Sequence, residues 1–238
     1  MRHKNTIIIV DTETTGSLKT PIIYDIGWAF YNKRTKIIDR KEYLVKEVFN
    51  NDYLMNSAYY IGKKPLYDKR VRNKEIIIKP FREILQELMQ DMRKYNVKVF
   101  SAYNVAFDIK AINSTIDLVS SDLSTTWKRA NKRVQPLCIW GLATNTLMNN
   151  IDYQELALRK GWYTENGNIL SNAEVAYRYL TGNYEFVEKH TALQDVLIER
   201  EILKHCLTSY GGNAKYGVIY HAWRNVQPKQ DIQISLDI

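Results

Sequence analysis

The feature that most constrains this chain is the run Thr6-Ile7-Ile8-Ile9-Val10, broken off by Asp11-Thr12-Glu13-Thr14-Thr15-Gly16. Continuous β-branched side chains suit a strand covered on both faces, so the sequence predicts an α/β domain with this strand inside its sheet. The polar residues then fall at the strand's carboxyl end. Residues i and i+2 of an extended chain face the same side, so Asp11 and Glu13 point together. Two like charges that close raise each other's pKa or demand a countercharge, and all-oxygen ligands select Mg²⁺ or Mn²⁺ over zinc. The pair also fits a plainer arrangement, one carboxylate capping the Thr-Gly turn and the other solvated.

Residues 22–31 and 37–45 read as two further strands separated by a polar turn, making the first 45 residues a three-stranded antiparallel meander. From Pro80, the positions Phe81, Ile84, Leu85, Leu88, Met89 and Met92 recur at three and four, an amphipathic helix with the proline in its first turn. Residues 97–102 read as a buried strand, and Tyr103 to Asp108 leads into a helix through about Ile116. Asn166-Gly167 suggests a tight hairpin turn between Trp162 and Leu170. Ser171-Asn172-Ala173-Glu174 reads as a capping box opening a helix through Leu180, and Thr191-Ala192-Leu193-Gln194 as another opening a helix through about Leu207. With Thr191 as N-cap, Asp195 is the fourth helical residue and His190 lies outside the helix, free to point independently of its face. A hydrophobic staple would put apolar side chains at both positions, yet both are ionisable; they fit either chemistry or a surface His beside an Asp set against the helix dipole.

At 238 residues the chain allows one large domain or a domain with a small appendage. No repeat or Pro/Gly-rich linker divides it, so the expected organisation is one domain over residues 1–210 and an extension of unassigned role over 211–238. Cys138 and Cys206 alone cannot build a disulfide framework or a cysteine-based zinc site. The start Met-Arg-His-Lys-Asn-Thr lacks a secretion signal's apolar stretch, and no apolar run approaches the roughly 20 residues of a membrane span. The expectation is a reduced, cytoplasmic protein without membrane contact. A net charge of +8 favours a polyanionic partner without identifying it. Lys63, Lys64, Lys69, Arg70, Arg72 and Lys74, interleaved with Tyr59, Tyr60 and Tyr67, form one basic run; Lys128, Arg129, Lys132 and Arg133 form another. Each fits either a guide for a strand's phosphates or a solvated surface.

D-x-E at Asp11 to Glu13, N-x-x-F-D at Asn104 to Asp108 and H-x(4)-D at His190 to Asp195, in that order, resemble the three motifs of the DEDDh exonucleases. The resemblance is nearest to the epsilon proofreading subunit of DNA polymerase III and its stand-alone or phage-encoded relatives, and it spans residues 7 to about 205. It implies an RNase H-like exonuclease fold, a central mixed sheet of about five strands flanked by helices, with the acids at one edge of the sheet. It also implies 3′-to-5′ removal of nucleoside 5′-monophosphates from single-stranded or frayed DNA, dependent on two Mg²⁺ or Mn²⁺ ions. Asp11, Glu13 and Asp195 would hold one ion, Asp11 and, through water, Asp108 the other, with His190 as general base. Four carboxylates would balance two divalent cations. A base that must be neutral implies activity rising from about pH 6 to 8. Thr12, Thr15, Asn104 and Phe107 stand where family members grip the terminal nucleotide, although Phe107 equally fits a core. The same chemistry on RNA, as in RNase T-like or oligoribonuclease-like members, is one rival. A non-catalytic nucleic-acid-binding module serving a polymerase or a replication or repair assembly is the other. The implied settings are DNA replication, proofreading or repair in a bacterial or phage-infected cytoplasm. Tyr103 departs from the histidine usual in proofreading members, and residues 48–79 and those after Ser209 match nothing in the family pattern.

Overall fold

The computed structural model describes residues 6–32, 35–209 and 217–227. Strands β1 (Thr6–Ser17), β2 (Thr20–Asn32) and β3 (Thr35–Val45) form the expected antiparallel meander. The stretch that the sequence left unassigned is entered by helix α1 (Lys46–Phe49) and folds as α2 (Asp52–Met55), a 3₁₀ turn (Ile61–Lys63), α3 (Lys64–Arg72) and a short strand, β4 (Ile77–Lys79), parallel to β3. Helix α4 (Phe81–Lys94) leads to β5 (Val97–Ala102), α5 (Val105–Val119), α6 (Ser124–Asn131) and β6 (Gln135–Cys138). Helices α7 (Ile139–Asn145), α8 (Ile151–Arg159), α9 (Ala173–Thr181) and α10 (Ala192–Ser209) complete the order. Pro80 is the N-cap of α4 rather than part of its first turn.

The sheet has six strands in the order β4-β3-β2-β1-β5-β6, mixed as expected and one strand larger than about five. The acids are therefore not on an edge strand, because β1 lies between β2 and β5. Their position is an end of the sheet. Strand β1 also does not stop at Asp11: its Thr-rich continuation stays paired with β2 to the register Ser17↔Thr20, and β-branched threonines suit that extended backbone.

Alternation along β1 separates two apolar layers. Ile8 and Val10 pack with Leu88 of α4 and Ile112 of α5; Ile7 and Ile9 pack with Val196 and Ile202 of α10. The sheet is thus sandwiched between helices, which is what continuous burial of this strand requires. Helix α10 approaches β2 so closely that a methyl group on Gly27 would lie 2.6 Å from the Leu193 nitrogen. Residues 217–227 pack back onto the domain. Gly217 N–H donates to the Pro136 carbonyl at 2.8 Å, Ile219 occupies the space over Gly141, and Val226 joins the second layer. Among the described residues no helix is long and apolar enough to cross a membrane.

The caps differ in detail from the sequence reading. Asn172, not Ser171, caps α9, accepting from Val175 N–H at 3.2 Å, while Ser171 Oγ accepts from Trp140 Nε1 at 2.9 Å. Asn is as good a cap as Ser, and the tertiary bond to Trp140 decides between neighbours. The expected turn holds, with Gly167 at φ +75° and Leu170 N–H donating to the Trp162 carbonyl.

Candidate active site

Strand β5 stays beside β1 only as far as Ile9↔Ser101, then ends at Ala102 and gives way to α5. Beyond Ile9, β1 keeps β2 on one side and, among the described residues, has no strand paired on the other. Asp11 and Glu13 lie in this stretch, and a register shift between Glu13 and Thr14 re-aims the strand there, as bulges do beside functional sites. Asp108 enters from the first turn of α5, accepting a 2.8 Å hydrogen bond from Thr12 Oγ1. Asp195 enters from the first turn of α10, at the fourth helical position expected of it. Both acids thus sit near the positive end of a helix dipole.

Glu13 and, from the other end of the chain, His190 and Asp195 bring their potential ligand atoms within 4.8 Å of one another. Asp11 and Asp108 lie outside that tight group but within reach of its charge. Burial, then Glu199, Asp108, Asp195 and Glu13, hold the Asp11 carboxyl well above its ordinary range. Burial pushes Glu13 up to about 8, Asp195 up to about 10 and Asp108 up to about 7. One Asp195 oxygen is buried without a hydrogen-bond partner among the described residues. A concentrated set of desolvated carboxylates with an orphaned oxygen is what a hard divalent cation would satisfy.

His190 adopts φ +49°, a left-handed conformation uncommon for residues other than glycine, and its ring is held from two sides. Tyr60 stacks on it at 4.4 Å between centroids and 16° between planes. Its Nδ1 lies 3.6 Å from Glu188 Oε2. Burial and the nearby Lys63 ammonium lower the imidazole pKa. Lys63 itself donates to the Lys189 carbonyl at 2.6 Å and lies over the Tyr60 ring.

Several of these residues escaped the sequence reading. Glu199 is buried at 2% exposure, has one unpartnered oxygen, and interacts with Asp11, Asp108 and Asp195. Its signal is an acid four residues after Asp195 on an otherwise apolar helix face, beside Val196, Ile202 and Leu203. Glu188, raised to about 7 chiefly by burial, is separated from His190 by one residue. Asp25 is fully buried opposite Glu13, and one of its oxygens accepts from Tyr67 Oη at 2.7 Å and from Ala192 N–H at 3.1 Å. Glu42 accepts from Leu193 N–H at 3.5 Å and pairs with Arg70. Carboxylates of the sheet therefore satisfy the first N–H groups of α10 and fix where Asp195 begins.

The four residues assigned to nucleotide binding are placed differently from one another. Asn104 is exposed at the start of α5 and its side chain makes no capping bond; Phe107 is half-buried one turn on and belongs to neither apolar layer. Thr12 is buried with its hydroxyl given to Asp108. Thr15 is buried against α2, bonded to the Leu54 carbonyl and to Ser57 Oγ. Tyr103 turns its hydroxyl away to the Ser171 carbonyl at 2.6 Å. Of the basic runs, Lys63 reaches the acids, whereas α6, which carries Lys128 and Arg129, precedes β6 at the opposite end of the sheet.

No protein-family model and no curated protein matches this sequence. The solved structures do. The chain shares the fold of E. coli Exonuclease I. In complex with a dT13 oligonucleotide that protein superposes with a TM-score of 0.54 at 15% identity, over 87% of this chain and 42% of the other. The dA16 complex gives 0.52 at 13% identity with the same coverage, and the zinc-bound complex with single-stranded DNA gives 0.55 at 14% over 86% and 41%. The chain therefore spans less than half the length of Exonuclease I. At this identity the likeness is one of fold, RNase H-like with a mixed sheet between helices, and no match ties the sequence to the epsilon-type proofreading subunits.

Proposed function

We propose that this chain is a DEDDh-type 3′-to-5′ exonuclease that hydrolyses single-stranded DNA from its 3′ end and releases nucleoside 5′-monophosphates. The observation that carries the reading is the meeting of Glu13, His190 and Asp195 within 4.8 Å, with Asp11 and Asp108 electrostatically coupled to them. The shared fold with a protein solved on single-stranded oligonucleotides supports the substrate class.

The donor set suits two Mg²⁺ or Mn²⁺ ions: Asp11, Glu13 and Asp195 would hold one and Asp11 with, through water, Asp108 the other. When bound, the pair supplies positive charge against the scissile phosphate and lowers the pKa of water. The remaining work falls to the chain. Water attacks phosphorus, the bond from phosphorus to the 3′ oxygen breaks, the water's proton must be taken up, and the departing oxygen takes a proton from solvent to become the 3′ hydroxyl of the shortened strand. We assign uptake of the water's proton to His190. Its Nδ1 faces Glu188 at 3.6 Å, which assigns the ring proton to Nδ1 and leaves Nε2 as acceptor; the Tyr60 hydroxyl, 3.4 Å from Nε2, has to give that position up to the attacking water. Burial and then Lys63 lower the imidazole pKa, which favours the form able to accept. A positioned base of this kind contributes about 10²–10⁴ in rate. Tyr60 fixes the ring plane by stacking, and Asp25 with Glu42 fixes the start of the helix that carries Asp195.

The test is digestion of matched DNA and RNA oligomers carrying a 5′ label, with Mn²⁺ or with chelator. The wild-type chain is expected to give a ladder shortening from the 3′ end and mononucleotides only with metal. The Asp11→Asn/Glu13→Gln protein, folded by circular dichroism, is expected to give neither. Equal digestion by that variant, or none by the wild type with metal, overturns the assignment. Faster cleavage of RNA than DNA transfers it to the ribonuclease reading.

A further inference from the structure

A cavity of about 390 Å³ opens at the end of the sheet away from the acids, among the last turn of α4, the first residues of β5 and helix α6. Its floor is apolar and largely buried: Met89 and Met92 from α4, and Val97 from β5. Its rim is cationic. Arg93, Lys98, Arg129 and Arg133 surround it, all exposed, and no acidic side chain lines it. None of the four enters an ion pair among the described residues. Asn96, held at φ +50° in the turn between α4 and β5, and Thr126 add polar groups at the wall.

The volume lies in the range of small-molecule sites, which combine an apolar interior with a few placed polar groups. Guanidinium forks match phosphate oxygens in pairs, and their charges raise the local concentration of anions. Methionine sulfur is polarisable and favours contact with aromatic rings. A ligand with a flat ring and a phosphate satisfies floor and rim together. A neighbouring cavity of about 380 Å³ shares Met89, Arg93 and Thr126 and continues past Gln86, Gln90 and Leu123, so the site is open along α4.

We propose that this cavity is a nucleotide-binding site separate from the acid cluster, taking a nucleotide either free or as one residue of a single strand. Strand β5 runs the 6 residues from Val97 to Ala102 between the two sites, which at about 3.3 Å per residue separates them by roughly 15–20 Å. A nucleotide held here does not touch Asp11 or Asp195, and its recognition needs no divalent ion. If it belongs to a strand, the site acts as an anchor for nucleic acid away from the 3′ end under attack.

The experiment is a binding titration in chelator, where no hydrolysis occurs, with adenosine monophosphate, inorganic phosphate, a fluorescent oligothymidylate and an oligoglutamate as probes. Arg129→Glu/Arg133→Glu is compared with Lys128→Glu/Lys132→Glu, which makes the same charge change on and beside the same helix at residues that do not line the cavity. The expected result is binding of adenosine monophosphate or oligothymidylate that falls about tenfold or more in the first variant and less than about threefold in the second. The mononucleotide binding alone identifies the free ligand as the source; the oligomer alone identifies the strand. Equal losses in both variants, phosphate binding as tightly as the nucleotide, oligoglutamate binding as tightly as the oligomer, or no binding by either nucleotide probe overturns the proposal. Because no turnover is read, a negative result here stands apart from failure of the exonuclease assignment.

Discussion

Gly27→Ala is the sharpest mechanical probe of the site. The methyl group would lie 2.6 Å from Leu193 N, 2.7 Å from Ala192 C and 2.8 Å from Leu193 Cα, all backbone atoms that no rotamer change can move. Ordinary contact begins at 3.4 Å, so the start of α10 must retreat from β2 by about 0.8 Å. That movement stretches the 3.1 Å bond from Ala192 N–H to Asp25 and shifts His190 and Asp195, which flank the helix start, away from Glu13. Overpacking of this kind costs about 1–3 kcal/mol. For a chain of this size that lowers the unfolding temperature by about 2–12 °C. A catalytic group displaced by about 1 Å loses about a hundredfold in rate. Thermal unfolding followed by circular dichroism and Mn²⁺-dependent release of mononucleotides, measured well below the transition, read the two effects separately. Gly62→Ala, which meets nothing within 4 Å, is the control for stability. Wild-type unfolding temperature together with wild-type turnover in Gly27→Ala would refute the claim that the contact between β2 and α10 sets the site's geometry.

Lys63→Met removes a charge that lowers the His190 pKa after burial has done so, so the acid limb of the rate profile should move to higher pH. The rate at pH 6 relative to pH 8 should fall about two- to threefold, and an unmoved limb would separate Lys63 from the base. In chelator the fold holds protons on Glu13 up to about 8 and on Asp108 and Glu188 up to about 7, whereas the unfolded chain loses them near 4. Metal-free stability should therefore decline as pH rises from about 5 to 8, by about 1.4 kcal/mol per pH unit for each proton retained, and urea unfolding that stays flat across this range would contradict it. Tyr103→Phe deletes the donor to the Ser171 carbonyl and should lower stability by about 1–2 kcal/mol while digestion persists. Lost turnover at unchanged stability would instead put that hydroxyl at the substrate.

The parts of the fold legible in the sequence were those with a long repeat or a strong cap. The meander of β1 to β3, the apolar stripe of α4, the buried β5 and the start of α10 all carried such signals, whereas α5, whose Asn104 makes no capping bond, was read from the strand before it. Strands of 3 and 4 residues, β4 and β6, are too short for a period to show, and their existence depends on the neighbours β3 and β5 they pair with. Asp11 and Glu13 stood out because they interrupt the apolar run of β1, although the strand itself continues to Ser17, and Asp108, His190 and Asp195 because each is a polar residue at or just before a helix start. Glu199 did not, since a lone acid on a helix reads as surface until its packing is known. Asp25 and Glu42 were hidden for another reason: their partners are backbone N–H groups more than 150 residues away, at separations of 167 and 151. Tyr60 and Lys63 come from a stretch whose position over His190 is set by tertiary contact alone.

Direct counting of bound Mn²⁺, by the loss of the free ion's electron-spin resonance signal on titration with protein, addresses whether these scattered acids form a single cation site. Two ions per chain are expected for the wild type, with binding lost or reduced to one in Asp11→Asn and Asp195→Asn while circular dichroism stays native. Binding no greater than that of an unrelated acidic protein, or unchanged in both variants, would contradict it.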